Sequence, residues 1–210
     1  MLVPRHKLLI ATNNAGKLRE YRFLLVGVSF ALVSPSEAGV TLDVEETGKT
    51  FEENARLKAR AFASASGLLT LADDSGLEVD VLGGEPGVMS ARYAGENATD
   101  SDRVRYLLSR LKGVPLEKRT AHFRCIIAIA RPDGRIETCS GECPGVIALE
   151  PRGKQGFGYD PIFFMPDLGK TMAELPPAVK NRVSHRARAV AKAREILDRI
   201  TRGETPGHDI

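Results

Sequence analysis

Two adjacent carboxylates, Asp73 and Asp74, directly follow an apolar run at residues 68–72. At the end of a predicted strand the two negative charges repel each other, and burying them is costly unless a cation neutralises them. Asp, Ser and Gly are also ordinary turn residues, so the stretch Asp73–Gly76 taken alone favours a solvated turn. A functional interpretation therefore requires positive charge or a metal ion provided by another part of the chain.

A second acidic pair, Glu45 and Glu46, precedes a predicted helix. A hard cation such as Mg²⁺ prefers oxygen ligands, usually one or two carboxylates together with waters and substrate phosphates. Asp74 could then also accept a proton from water. Other nucleophiles are less favoured, because Ser75 has no evident histidine partner and no cysteine lies in a polar helix start.

A polar loop at residues 12–17, with the sequence TNNAGK, connects a predicted strand to a helix. Unpaired backbone N–H groups at a helix N-terminus favour an anion, and Lys17 adds a positive charge. The loop is not a Walker A motif, because the second loop glycine is missing and Leu18 replaces Ser or Thr. The segment GFGYDP also fails as a dinucleotide fingerprint, since Pro161 occupies the third glycine position.

Further cations lie on other predicted elements, at Lys58, Lys180, His185 and Arg186. A lysine on a helix is most often solvated, and the same applies to charged residues at a helix start. An arginine at a helix N-terminus opposes the helix dipole, however, and a bound anion would relieve that cost. These residues are therefore candidates for contacts with phosphate.

Hydrophobic periodicity and turn signals predict the elements that must position these residues. Thr50 and Glu53 have capping-box spacing at the start of the second helix, and Asn54 and Lys58 lie on one face of it. Ser184 is a predicted N-cap for the closing helix. The predicted strands and helices are: strand 8–11, helix 18–25, helix 50–63, strand 68–72, helix 100–111, strand 122–130, a turn at Asp133–Gly134, strand 135–140, strand 145–149, an aromatic strand after GFGYDP, and the closing helix.

The pattern predicts an α/β or α+β fold with a mixed sheet, formed as one domain over residues 1–200 with a disordered tail at 201–210. The 210 residues carry a net charge of +3, which is too small to indicate nucleic acid binding. Three cysteines and the lack of a signal-like N-terminus predict a reducing, cytoplasmic setting. No apolar run approaches the ~20 residues of a membrane span.

Five segments, in this order, resemble the inosine triphosphate pyrophosphatase family: ATNNAGKLRE, TFEENARLKA, ADDSGLEVDVLGGEPGVMSARYAG, GFGYDPIFF and KNRVSHRARA. The resemblance extends from about Leu8 to about Leu197. It implies a long, twisted mixed β-sheet flanked by helices, with two lobes around a central cleft, usually as a homodimer. It also implies Mg²⁺-dependent cleavage of ITP, dITP and XTP to the monophosphate and pyrophosphate, with no nucleic acid or membrane partner.

The resemblance also implies roles for individual residues. Asp74 would be metal ligand and proton acceptor, Glu46 a further metal ligand and Asp73 a supporting carboxylate. The residues implied to bind substrate are Thr12, Asn13, Asn14, Ala15, Gly16 and Lys17 on the triphosphate, Lys58 and Ser75, Phe157, Gly158, Tyr159 and Asp160 around the base, and Lys180, His185 and Arg186 closing the site. One departure is Pro176–Pro177, where many relatives have a polar helix start.

Two other functions compete with this interpretation. One is a pyrophosphatase for modified pyrimidine nucleotides. The other is a non-catalytic nucleotide- or RNA-binding protein, suggested by an isoelectric point near 8.8 but lacking interleaved aromatic residues. For purine selectivity we expect donors, namely backbone N–H groups near Phe157–Asp160 and the Arg186 side chain, to pair with the 6-carbonyl group and disfavour adenine.

Overall fold

The computed structural model describes residues 6–204 and shows the predicted α/β architecture with a mixed sheet. Within this range the strands and helices are β1 Lys7–Ile10, α1 Ala15–Leu24, β2 Ala31–Val33, α2 Phe51–Ser66, β3 Leu69–Val79, α3 Asp100–Arg110, β4 Thr120–Ala130, β5 Ile136–Ile147, β6 Phe163–Met165, β7 Lys170–Thr171, α4 Pro177–Val183 and α5 His185–Thr201. The seven strands in this range form one sheet in the order β2-β1-β3-β4-β5-β6-β7. Strand β1 pairs in parallel with β2 and β3, whereas β6 is antiparallel to β5 and β7. None of the helices between residues 6 and 204 is long and apolar enough to cross a bilayer.

The strand predicted at residues 68–72 is longer than expected. Strand β3 continues through Asp73 and Asp74 and ends at Val79. The prediction that the two aspartates end a strand or form a turn is therefore wrong. Both residues are buried within β3, although aspartate is normally disfavoured in strands. Partners from other elements must compensate for this local preference.

The two strands predicted at 135–140 and 145–149 are a single strand, β5. Pro144 and Gly145 interrupt the local strand signal, because proline and glycine are uncommon inside strands. A Cβ atom at Gly145 would lie 2.5 Å from Phe163 Cζ and 2.8 Å from the Phe164 carbonyl oxygen. Glycine therefore allows β6 to approach β5 closely. The turn predicted at Asp133–Gly134 is confirmed, since it lies between the neighbouring strands β4 and β5.

The chain divides into two compact units. Unit 1 contains the chain up to Asp74, Ile126–Ser140 and the chain from Ala189 onward. Small residues on the inner face of α2 form much of its core, because alanine side chains let a helix pack closely. The buried members of this core are Leu9, Ala11, Ala55, Ala59, Phe62, Ala63, Ala72, Ala128 and Ala130.

Unit 2 contains Ser75–Cys125 and Gly141–Arg188. Its core includes Val104 and Leu107 of α3 with Leu111, and Leu108 is partly buried against it. The helix predicted at 100–111 is therefore confirmed, with its apolar residues on one face. Phe123 and Phe163 pack within the same core, with ring centroids 4.4 Å apart.

Helix α2 begins and ends with clear local signals. The Thr50 side chain accepts a hydrogen bond from the Glu53 N–H, and the Glu53 side chain accepts one from the Thr50 N–H. This is the predicted capping box. Gly67 follows the last turn with φ +65°, the left-handed conformation that favours glycine at a helix end. Both ends of the helix that carries Asn54 and Lys58 are thus determined locally.

The closing helix also follows its predicted start. Ser184 Oγ accepts a hydrogen bond from the Ala187 N–H at 3.2 Å, immediately before α5. The helix extends to Thr201, so the first residue of the predicted tail is helical. The predicted disorder of residues 205–210 falls outside the described residues.

We expect Thr50→Ala to lower the free energy of unfolding by about 1 kcal/mol, because it removes the N-cap oxygen of α2. Urea denaturation followed by circular dichroism measures this change. Thr50→Ser is the matched control, since it retains the hydroxyl and should stay close to the wild-type value. Equal stability of the alanine and serine variants would contradict the capping role.

Candidate active site

The two buried aspartates of β3 pair with lysines that come from different helices of unit 1. Lys17 Nζ on α1 lies 2.9 Å from Asp73 Oδ2. Lys58 Nζ on α2 lies 3.8 Å from Asp74 Oδ1. Each carboxylate therefore has a cation nearby, which offsets the cost of burial.

Lys58 also brings a second carboxylate into the same cluster. Its Nζ atom lies 2.6 Å from Glu46 Oε1, in the loop before α2. One ammonium group is thus within 4 Å of both Glu46 and Asp74. The structure brings together the two residues predicted as metal ligands, whereas the neighbouring Glu45 is exposed.

The charges in this cluster alter the proton affinities of its members. Burial raises the pKa of Asp74, Lys58 acts in the opposite direction, and the nearby Glu46 carboxylate raises it further. For Lys58, burial lowers the pKa, but the carboxylates of Asp74, Asp73 and Glu46 together raise it above its usual value. Lys58 is therefore positively charged at neutral pH, and Asp74 binds a proton more readily than an exposed aspartate does.

The loop predicted to bind phosphate forms the start of α1. The Asn14 side chain is the N-cap and accepts a hydrogen bond from the Lys17 N–H at 3.0 Å. The Asn14 N–H donates to Thr12 Oγ1 at 3.2 Å. Asn13, Asn14 and Ala15 are exposed. The loop thus has a defined conformation and an accessible surface at a helix N-terminus, as an anion site requires.

The side-chain atoms near Asp74 that could bind a metal ion are carboxylate oxygens. Within residues 6–204, no group of three or more His, Cys, Asp and Glu side chains is arranged to hold a metal ion. A pair of carboxylates suits Mg²⁺, which completes its coordination with waters and phosphate oxygens. It does not suit structural zinc, which takes four protein ligands, mostly Cys and His.

In unit 2, two cations lie over one aromatic ring. Lys180 Nζ is 4.7 Å and Arg186 Cζ is 5.7 Å from the centroid of the Phe157 ring. Lys180 also pairs with the Asp160 carboxylate. The structure therefore brings together Phe157, Asp160, Lys180 and Arg186, four residues that the resemblance assigns to the base and the closing of the site.

Arg186 and His185 occupy the first turn of α5 and are buried. Arg186 donates from its NH2 group to Ser75 Oγ at 3.0 Å. The His185 ring stacks on Phe123, with centroids 4.7 Å apart and an angle of 16° between the planes. Both side chains are thus held in one orientation by neighbours within unit 2.

Two amide groups of the Phe157–Asp160 loop donate to carboxylates. The Phe157 N–H donates to Asp160 Oδ2 at 2.9 Å, and the Gly158 N–H donates to Asp100 Oδ2 at 2.7 Å. Recognition of a purine carbonyl by backbone N–H groups of this loop stays a prediction.

Tyr159, which is expected to line a base pocket, is packed in the protein core. Its side chain is part of the unit 2 core, and its hydroxyl donates to the Ser90 carbonyl oxygen at 2.9 Å. Burial raises the pKa of its hydroxyl group above the usual range. Tyr159 thus anchors the loop, while Phe157 carries the ring next to the cations.

The Pro176–Pro177 departure is compatible with the position of Lys180. Pro177 is the first residue of α4, a position at which proline is favoured because its missing N–H would have no helical partner. Lys180 lies on α4 and is buried. The two prolines therefore start the helix that carries this lysine.

Four residues of these clusters had no role in the sequence-based hypothesis: Gly48, Asn54, Asp100 and Gly156. Asn54 donates to Asp74, and Asp100 holds Gly158. Gly156 has φ +79°, and a Cβ atom there would lie 1.9 Å from Asp160 Oδ2. The spacing of Asn54 and Lys58 on one helix face was the available signal for Asn54; the others depend on contacts that local patterns do not reveal.

Comparisons with known proteins agree with this arrangement. The chain is 55% identical over 191 residues to a dITP/XTP pyrophosphatase of Geobacter sulfurreducens, covering 91% of this chain and 96% of that protein. It is 50% identical over 190 residues to a dITP/XTP pyrophosphatase of Bacillus subtilis, covering 90% and 96%.

Solved structures show the same fold. A HAM1 protein from Coxiella burnetii superposes with a TM-score of 0.84 at 44% identity, covering 92% of this chain and 98% of that one. The Staphylococcus aureus Ham1 protein gives a TM-score of 0.82 at 43% identity, covering 91% and 98%. The model of the Ham1 family matches residues 8–196. The chain therefore belongs to the Ham1 family.

Proposed function

We propose that this chain is a Mg²⁺-dependent pyrophosphatase that hydrolyses dITP, ITP and XTP to the monophosphate and pyrophosphate in the cytoplasm. The observation that carries this proposal is the pairing of Lys58 with both Glu46 and Asp74. The relatives at 50–55% identity are named dITP/XTP pyrophosphatases, which supports this substrate class.

Unit 1 would bind the triphosphate and the metal ion. Glu46 and Asp74 would hold Mg²⁺, which supplies charge stabilisation to the phosphates when it is bound. Lys17, Lys58 and the start of α1, Thr12–Gly16, would bind phosphate oxygens. Asp74 would accept the proton of the attacking water, with its carboxylate held by Asn54 and Lys58.

Unit 2 would recognise the base. The Phe157 ring offers a surface for stacking, and the cationic donors Lys180 and Arg186 lie next to it. A 6-carbonyl group accepts hydrogen bonds from such donors, whereas the 6-amino group of adenine does not. Ser75 and His185 would complete this set, with Gly158, Tyr159 and Asp160 holding the loop. The names of the relatives, dITP/XTP pyrophosphatases, support a catalytic function on purine nucleotides over a pyrimidine-directed or non-catalytic one.

We also propose that the protein acts as a homodimer, as the family resemblance implies. Light scattering coupled to size-exclusion chromatography measures the solution mass, which should be twice that of the chain.

The product analysis is the first test of the proposed function. Incubation with dITP and Mg²⁺ should release pyrophosphate and the monophosphate in equal amounts. Release of orthophosphate in place of pyrophosphate would contradict the proposal.

Asp74→Asn should lower the turnover number by at least about 10²-fold, because it removes a metal ligand and a proton acceptor. Pyrophosphate release at saturating dITP measures the effect, and thermal unfolding checks that the variant is folded. Asp133→Asn, in the exposed β4–β5 turn, removes the same charge and should retain wild-type turnover. Substantial activity in the folded Asp74→Asn protein would exclude Asp74 from the reaction.

Removal of metal should abolish turnover. Protein treated with EDTA should recover full activity with Mg²⁺, and Glu46→Gln should need several-fold more Mg²⁺ for half-maximal velocity, since it loses a charged ligand. Glu45→Gln is the matched control, because Glu45 is exposed and adjacent in sequence. Full activity in excess chelator would show that no metal is required.

The wild-type protein should prefer ITP over ATP by about 10²-fold in kcat/KM, because buried donors remain unpaired when adenine is bound. Arg186→Ala should reduce kcat/KM for ITP more than for ATP and so narrow this ratio. Arg182→Ala, an exposed arginine of α4, controls for the loss of charge. An unchanged ratio in folded Arg186→Ala protein would exclude Arg186 from base selection.

A further inference from the structure

Asn54 uses both ends of its side-chain amide to connect two parts of unit 1. The residue lies in the first turn of α2 and is fully buried. Its Nδ2 group donates to Asp74 Oδ2 at 3.1 Å, and its Oδ1 atom accepts the Gly48 N–H at 2.8 Å. Gly48 is two residues beyond Glu46, so one amide contacts both the strand of Asp74 and the loop of Glu46.

The chemistry of these two bonds requires an asparagine. An asparagine side chain donates at one end and accepts at the other, whereas aspartate only accepts and leucine does neither. A buried amide costs stability unless both ends are hydrogen-bonded. Replacing it would remove the acceptor of the Gly48 N–H and a donor to Asp74.

The loop approaches α2 too closely for any residue larger than glycine. A Cβ atom at Gly48 would lie 2.6 Å from Asn54 Oδ1 and 2.7 Å from Glu53 Cβ. Glu53 is itself fixed by the capping box with Thr50. The position of the Glu46 loop is thus set by contact with the first turn of α2.

We propose that Asn54 is a positioning residue that sets the separation of the Glu46 and Asp74 carboxylates and thereby the affinity for the divalent cation. Asn54 touches neither substrate nor metal in this proposal; it acts through the two carboxylates. The consequence for catalysis rests on the proposed function, but the consequence for metal binding can be measured without nucleotide.

A purely structural role for Asn54 makes a different prediction. In that case its replacement would lower stability and leave the metal affinity of the folded protein unchanged. Two variants of unit 1 provide this comparison. Gly67→Ala introduces strain at φ +65° after the last turn of α2, and Gly39→Ala introduces strain at φ +69°; at both positions a Cβ atom meets no neighbour within 4 Å.

The experiment measures binding of Mn²⁺ alone to the full chain by electron paramagnetic resonance, together with thermal unfolding. Asn54→Leu should weaken Mn²⁺ binding by at least about tenfold, as expected when a group that orients a metal ligand is lost. Gly48→Ala should weaken it in the same direction with Asn54 intact, which provides a second test if the leucine variant does not fold. Gly67→Ala and Gly39→Ala should lower the melting temperature and keep wild-type Mn²⁺ affinity.

Kinetics with dITP provide the second readout. In the Asn54→Leu protein the Mg²⁺ concentration for half-maximal velocity should rise by the same factor as the dissociation constant for Mn²⁺. The KM for dITP at saturating Mg²⁺ should change much less. Wild-type Mn²⁺ affinity in folded Asn54→Leu and Gly48→Ala proteins would overturn the positioning role. A wild-type protein that binds Mn²⁺ but releases no pyrophosphate from dITP would instead refute the proposed function.

Discussion

Burial of two adjacent aspartates inside a strand is the constraint on which unit 1 depends. Asp73 and Asp74 lie within β3, and Lys17 and Lys58 provide the compensating charges from α1 and α2. Removing one partner of a buried ion pair costs about 3–5 kcal/mol, because the other charge remains buried without compensation. The positions of both helices against the sheet are therefore coupled to these carboxylates.

In unit 2, carboxylates with nearby partners also hold a loop in place. Within the Phe157–Asp160 segment, Tyr159 packs in the apolar core, and the amides of Phe157 and Gly158 donate to Asp160 and Asp100. Charged acceptors form stronger hydrogen bonds than neutral ones. Carboxylates therefore give this short loop a defined shape, and the cations of Lys180 and Arg186 lie next to its Phe157 ring.

Capped helix starts position most of these residues. Thr50 caps α2 just before Asn54, Thr99 caps α3 just before Asp100, and Ser184 precedes the first turn of α5. A cap stabilises the first turn of a helix, since it satisfies N–H groups that would otherwise lack partners. The backbone from which a side chain in that turn extends is held in place, as a catalytic or binding group requires.

The sequence by itself determined helices α1, α2, α3 and α5, the caps of α2 and α5, the β4–β5 turn and the identity of the candidate residues, because periodicity, capping and turn chemistry act over a few neighbouring positions. Only the tertiary structure decided that Asp73 and Asp74 lie inside a strand, that Lys17 pairs with Asp73, and that Lys58 pairs with Asp74 and Glu46. These pairings join residues far apart in the chain, and the free energy of burying a carboxylate depends on which cation reaches it. Local preference alone places aspartate in a turn; the partly buried lysines, Lys17 and Lys58, are the physical reason that it occupies a strand here.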